Sequence, residues 1–108
     1  MEALNMRFPS ETLKDALIIL GYPDLANTDE SRALGDIADE AVLKGPLTCS
    51  PKVAMASCYY LLQIRFWANK DNLRSVARAF DCSEPPIRDA IRKLRPYFDA
   101  KMKKGWKP

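Results

Sequence analysis

After Ser50-Pro51 the chain enters a run with no polar face. Val53, Ala54, Met55, Ala56, Cys58, Tyr59, Tyr60, Leu61, Leu62, Ile64, Phe66 and Trp67 cover nearly every direction of a helical wheel. A helix that is hydrophobic all round has to be enclosed by other elements. The segment therefore predicts a buried central helix with the fold built around it. Ser50 supplies the N-cap and Pro51 the first helical position, where a missing N–H removes no helical hydrogen bond. The small residues Ala54, Ala56, Ser57 and Cys58 let neighbours approach closely, so Cys58 reads as packing rather than as a reactive thiol.

Proline and glycine divide the remainder into further helical units, and there is hardly any β-branched alternation to argue for strands. An all-α fold is predicted. A first helix opens at Pro9-Ser10, carries Leu13, Leu17 and Leu20 with Ala16 and Ile19 widening the stripe, and stops at Gly21 and Pro23. A second starts at Asn27, with Glu30 three residues on in a capping-box pattern, and buries Leu34, Ile37, Ala38, Ala41 and Val42 before Gly45-Pro46. Beyond the central helix, Asn72 caps a short helix with Leu73, Val76, Ala77 and Phe80 inward and Arg74 and Arg78 outward. Asp81-Cys82-Ser83 breaks it. After Pro85-Pro86 a last helix places Ile87, Ala90, Ile91, Leu94 and Phe98 on one face and Arg88, Arg92 and Arg95 on another. Pro96 is expected to kink or end it near Arg95, leaving a frayed basic tail over about 99–108 in which Trp106 either docks back or stays free.

Charge is distributed unevenly along this plan. Residues 1–50 hold four basic and nine acidic residues, a net charge of −5, whereas residues 51–108 hold thirteen and five, a net charge of +8. The basic half is where a polyanion would bind. Histidine is absent, which excludes Ser-His and Cys-His nucleophile pairs, a histidine general base and the usual zinc-hydrolase ligand sets. Cys49, Cys58 and Cys82 form no C-x-x-C pair and fit neither a zinc ribbon nor a disulfide framework. Reduced thiols in an intracellular protein, cytoplasmic or nuclear, are the expectation. The longest apolar stretch, Val53 to Leu62, is about half of the ~20 residues that a membrane span requires. No export leader is read at the N-terminus, and no membrane partner is expected. Acidic residues fall on solvent faces of helices without a nucleophile, phosphate loop or ligand cluster, so no enzyme, metal or cofactor is expected.

A short helix, a tight turn and a second helix with outward arginines describe a helix-turn-helix over about 72–95. Ala77 supplies the small residue needed where the two helices touch, and Asp81 a residue tolerant of positive φ in the turn. Val76 and Phe80 are expected to face Ile87 and Ile91 across the junction. A helical hairpin that merely completes a bundle would show the same apolar spacing, with solvated arginines.

Between about Lys44 and Leu94 the chain resembles the cyclin-like repeat of general transcription factor B, the archaeal factor and its eukaryotic counterpart, more the second repeat than the first. The residues that carry the resemblance are Leu43, Lys44 and Gly45, then Ser50-Pro51, then Ala56-Ser57-Cys58 ending in Tyr60-Leu61. Val76-Ala77, Ser83-Glu84 and Ile87-Arg88 follow in ungapped spacing. The resemblance implies a single five-helix cyclin-like domain over 1–108, ending in a helix-turn-helix that reads a promoter element beside the TATA-binding protein. By position, Ser83 and Arg88 fall on the family's Thr and Arg of the recognition helix, and Asp89 replaces its Asn. Arg88 would then reach a guanine edge or a phosphate and Ser83 a phosphate, with Arg74, Arg78, Arg92, Lys93 and Arg95 on the flanking backbone. The chain departs from the family in having one repeat and no zinc ribbon. It also departs in Pro85 and Pro86 at the recognition-helix start, and in Ala90 and Ile91 where the family has basic and aromatic residues.

Two functions are compatible with this reading. One is a DNA-binding transcription module using the helix-turn-helix. The other is a protein-interaction module docking on RNA polymerase, the TATA-binding protein or another regulator through the acidic stretch Asp29 to Glu40 and exposed Tyr22, Trp67 or Trp106. A homodimer that pairs the two oppositely charged halves is an extension of either.

Overall fold

The structure, a computed structural model, describes residues 8–105, except for the side chain of Met102. Five α-helices follow one another: α1 (Leu13–Leu20), α2 (Asp29–Leu43), α3 (Pro51–Trp67), α4 (Leu73–Ala79) and α5 (Glu84–Lys103). Short 3-10 turns at Pro9–Thr12 and Pro23–Leu25 precede α1 and α2, and there is no strand among the described residues. The Cα radius of gyration, 12.8 Å, is close to the ~13 Å of a folded domain of about this length.

The apolar run does form a central helix, against which three of the other four helices pack. Val53 to Tyr59 is buried without interruption in α3, and so are Leu62 and Gln63. Ser50 caps it by accepting from the Val53 N–H, with Pro51 in the first turn. Helices α2, α4 and α5 and the Pro9–Thr12 turn all lie against it. Enclosure ends before the helix does, for Ile64 and Arg65 face solvent, and Tyr60, Leu61, Phe66 and Trp67 are half-buried. Cys58 is fully buried, and burial pushes its thiol far above the ordinary value. It stays protonated and serves as packing.

Three boundaries differ from the sequence expectation. Thr28, not Asn27, caps α2, its Oγ1 accepting from the Ser31 N–H at 3.2 Å. The Pro23–Leu25 turn passes directly into that cap through Thr28 N–H donating to the Leu25 carbonyl, which shifts the start by one residue. Helix α1 is entered through the Pro9–Thr12 turn, and Ser10 caps nothing in it: its N–H and Oγ donate to the two Asp39 carboxylate oxygens at 2.9 and 2.8 Å. That bond draws the turn onto α2 so closely that a Cβ at Gly35 would stand 2.7 Å from the Ser10 Cβ. Ile19 is 64% exposed; at about 100° per residue it falls off the face shared by Leu13, Ala16 and Leu17.

The third difference concerns Pro96. Helix α5 continues through it to Lys103, so it does not end near Arg95. Proline there removes one N–H, but its ring is exposed and the carbonyl of Arg92, which loses its donor, lies on an outward-facing turn where water can satisfy it. Burial of Leu94 before the proline and Phe98 after it keeps both halves on the core. The start of the tail expected to fray is helical as far as Lys103. Lys101 Nζ lies 2.8 Å from Glu40 Oε2 on α2 and 5.1 Å from the Tyr97 ring centroid. Trp106, whose docking the sequence leaves open, lies outside the described residues.

This tie between α5 and α2 has a pH signature. The hydrogen bond from Lys101 holds the Glu40 carboxyl below its ordinary value, and the same bond holds Lys101 above its own. A lowered carboxyl stabilises the fold above its unfolded value and ceases to do so as pH falls through the folded one. A raised lysine stabilises below its unfolded value and ceases to do so as pH rises through the folded one. Glu40→Gln is therefore expected to lower the urea midpoint at neutral pH. The gap to the parent closes in acid through the carboxylate range and in base above the lysine range. A gap that is constant with pH would dismiss the ion pair as its source.

Candidate nucleic-acid interface

The segment from α4 to α5 is shaped by its turn. Asn72 caps α4 by accepting from the Ser75 N–H at 2.8 Å. At the other end the Cys82 N–H donates to the Ala77 carbonyl and the Asp81 N–H to the Arg78 carbonyl, at 3.0 and 3.1 Å. This is a Schellman closure, which requires a left-handed residue between the two helices. Asp81 fills that position with φ 57°, as the sequence predicts. Lys52, at the start of α3, sets its Nζ 3.0 Å from Asp81 Oδ2. Val76, Ala77, Ala79 and Phe80 from α4 and Ile87, Ala90, Ile91 and Leu94 from α5 all enter the core.

With the apolar faces spent on the core, the arginines point outward. Arg74 and Arg78 on α4, Ser83 in the turn and Arg88 on α5 line one open groove, together with Ala77, Cys82, Glu84 and Pro85. Four of the seven residues singled out from the sequence are thus brought together. Arg92 and Arg95 continue the Arg88 side of α5, exposed, beyond the groove. Lys93 does not join them. It lies on the opposite flank of α5, where it lines a separate cleft with Thr48, Cys49, Pro86 and Asp89.

Acidic neighbours modulate this basic surface. Glu84 Oε1 stands 3.1 Å from Arg88, and Asp89 Oδ1 stands 3.6 Å from Arg92. Both pairs are solvent-exposed contacts within one helix, each worth about 0.3–0.5 kcal/mol, so neither locks its arginine. Glu84 and Asp89 were not singled out from the sequence as partners, although their i, i+4 and i, i+3 spacing to Arg88 and Arg92 is the signal for it; Lys52 carries no such signal, because 29 residues separate it from Asp81. A thiol lines each of these surfaces, Cys82 the groove and Cys49 the separate cleft. Burial pushes Cys82 and Cys49 above their ordinary value, against the opposing charges of Lys52 and Lys93 respectively.

Matched against protein-family models, curated proteins and solved structures, the chain finds no counterpart. Among the described residues no group of three or more His, Cys, Asp and Glu side chains is placed to hold a metal ion. No described helix is long and apolar enough to cross a membrane. Two aromatic residues expected on an exposed docking surface are engaged internally. The Tyr22 hydroxyl donates to Asp71 at 3.1 Å, and Trp67 stacks at a tilt on Tyr59 and Phe66 with centroids 6.1 and 5.7 Å away.

Proposed function

We propose that the protein is an intracellular DNA-binding transcription module. In this reading it is a cyclin-like bundle related to general transcription factor B that contacts duplex DNA through α4, its turn and α5 acting as a helix-turn-helix. The observation that carries the reading is the convergence of Arg74, Arg78, Ser83 and Arg88 on one open groove at the turn. Guanidinium groups offer paired donors that match phosphate oxygens, and a net charge of +8 over residues 51–108 draws a polyanion to this side of the chain. Support for the bundle comes from the helix order, from α3 as the common packing partner, and from the left-handed Asp81. A place beside the TATA-binding protein or RNA polymerase would follow from the resemblance. The protein-docking alternative loses Tyr22 and Trp67 as free contact residues.

An anisotropy titration of the full chain on labelled duplex DNA at several salt concentrations tests the reading. Six basic side chains, Arg74, Arg78, Arg88, Arg92, Lys93 and Arg95, are available for phosphates. If all engage, log K is expected to fall against log[salt] with a slope of roughly −5, at about −0.9 per contact. Lys93 stands on the other flank of α5, so without it five contacts remain and the expected slope is roughly −4.5. Undetectable binding at micromolar protein, or binding indifferent to salt, would end the proposal.

A further inference from the structure

We infer that the groove between α4 and α5 grips the sugar-phosphate backbone and reads little of the base sequence, so that duplexes of unrelated sequence bind with nearly equal affinity. This rests on the DNA-binding reading above and concerns what the surface can distinguish. A helix laid in the major groove reads bases chiefly with side chains near its N-terminus. In α5 that turn is Glu84-Pro85-Pro86-Ile87. Ile87 is wholly buried and cannot reach a base. The two prolines are exposed but carry no side-chain donor or acceptor, and offer only methylene surface. Glu84, the one polar residue of the turn, is bonded to Arg88 and would repel a phosphate rather than approach DNA.

The same residues remove the other usual use of a helix start. Phosphates are commonly held by the free N–H groups of a first turn. Pro85 and Pro86 have no N–H, and Glu84 places a negative charge beside what remains. A phosphate must therefore be held by side chains, and the groove supplies them: Arg74 and Arg78 one turn apart on α4, with Arg88 and the Ser83 hydroxyl across from them. Arg88 has to exchange Glu84 for the phosphate. Of the next outward residues able to bond a base edge, Asp89 offers only acceptors and repels phosphate, and Arg92, 3.6 Å from it, faces the same choice as Arg88. What is left is a set of backbone contacts with an internal counter-charge.

The test uses the full chain and short labelled duplexes of AT-rich, GC-rich and mixed sequence. Sequence-specific proteins separate site from non-site DNA by about 10³–10⁷-fold, whereas here the three dissociation constants are expected to agree within about tenfold. Arg88→Ala is expected to weaken all three by a common factor and to make the salt slope shallower by about 0.9. Arg74→Ala should do the same from the other helix, and circular dichroism confirms that both variants fold. Glu84→Gln should tighten all three, since Arg88 no longer has a carboxylate to leave. A spread wider than tenfold among the duplexes, or an Arg88→Ala loss confined to one of them, overturns the inference and leaves DNA binding standing. Unchanged or weaker binding by Glu84→Gln overturns the exchange at Arg88. Failure of every duplex to bind overturns the DNA reading itself.

Discussion

Replacing Asp71 with alanine is expected to lower the unfolding free energy by about 2–4 kcal/mol, read as a fall in the urea midpoint at unchanged slope. Asp71 sits in the loop between α3 and α4, and its carboxylate joins two distant parts of the chain. Oδ2 accepts from the Tyr59 hydroxyl at 2.7 Å, and Oδ1 from the Tyr22 hydroxyl at 3.1 Å. Tyr59 is fully buried in α3. Burial first, and then the bond to Asp71, push its phenol far above the ordinary value, so it remains a donor at any working pH. Asn69 also bonds the Tyr59 oxygen, but as a donor, so as placed it does not accept the phenolic proton and would have to turn its amide over to do so. A buried donor without an acceptor costs about 1–3 kcal/mol, and hydrogen bonds to a charged group contribute about 1.5–3 kcal/mol each. Asp71 is itself half-exposed, which places the expectation below the sum. Its main chain stays bonded to Gln63, through N–H to Oε1 and Nε2 to the carbonyl, both at 2.9 Å, so the loop keeps its path. Tyr59→Phe, which removes donor and need together, should cost less. A midpoint shift worth under about 1 kcal/mol in Asp71→Ala would show that the network contributes no more than an ordinary surface contact.

The second large effect separates two neighbours in α5. Ile87→Ala is expected to cost about 2–5 kcal/mol, the usual range for emptying a sealed aliphatic site. Ile87 is completely buried at the α4–α5 junction, and its carbonyl receives the Ser57 hydroxyl of α3 at 3.4 Å. Arg88, one residue on, faces solvent, and its alanine variant should change stability by no more than about 0.5 kcal/mol. Under conditions where both variants are folded, the order reverses for DNA: Arg88→Ala weakens binding and Ile87→Ala leaves it near the parent. If Arg88→Ala destabilised the fold as much as Ile87→Ala, its effect on DNA could not be assigned to the groove.

Local rules made much of this fold legible before the structure. Ser50-Pro51 and Asn72 are caps with one mechanism each, and both start the helices they announce. Asp81 was identifiable because a three-residue break between two helices needs a left-handed residue and aspartate tolerates it. The arginines of the groove could be named one by one, since helical spacing sorts outward from inward positions. Their division could not. Lys93 looks like one more member of a basic stripe until the packing of α5 on α3 assigns it to the other flank. Long-range polar links were equally out of reach: Tyr22 and Asp71 stand 49 residues apart, and Lys101 and Glu40 61. At Pro96 the expected helix end does not occur, and apolar residues on both sides of it, Leu94 and Phe98, are buried.

That proline also makes α5 a rod with a seam. At about 1.5 Å per residue its 20 residues are roughly 30 Å long, and about 20 Å of that separates Arg88 in the groove from Lys101 at the Glu40 tie on α2. Because one rung of the hydrogen-bond ladder is missing at Pro96, the turn after it can open without breaking the bonds that hold the arginine end. The two ends are then expected to exchange amide protons as separate blocks, one following the α4–α5 core and the other the Lys101–Glu40 contact, which hydrogen exchange of the full chain would read. On that expectation, opening at the C-terminal end of α5 leaves the segment that carries the arginines in place.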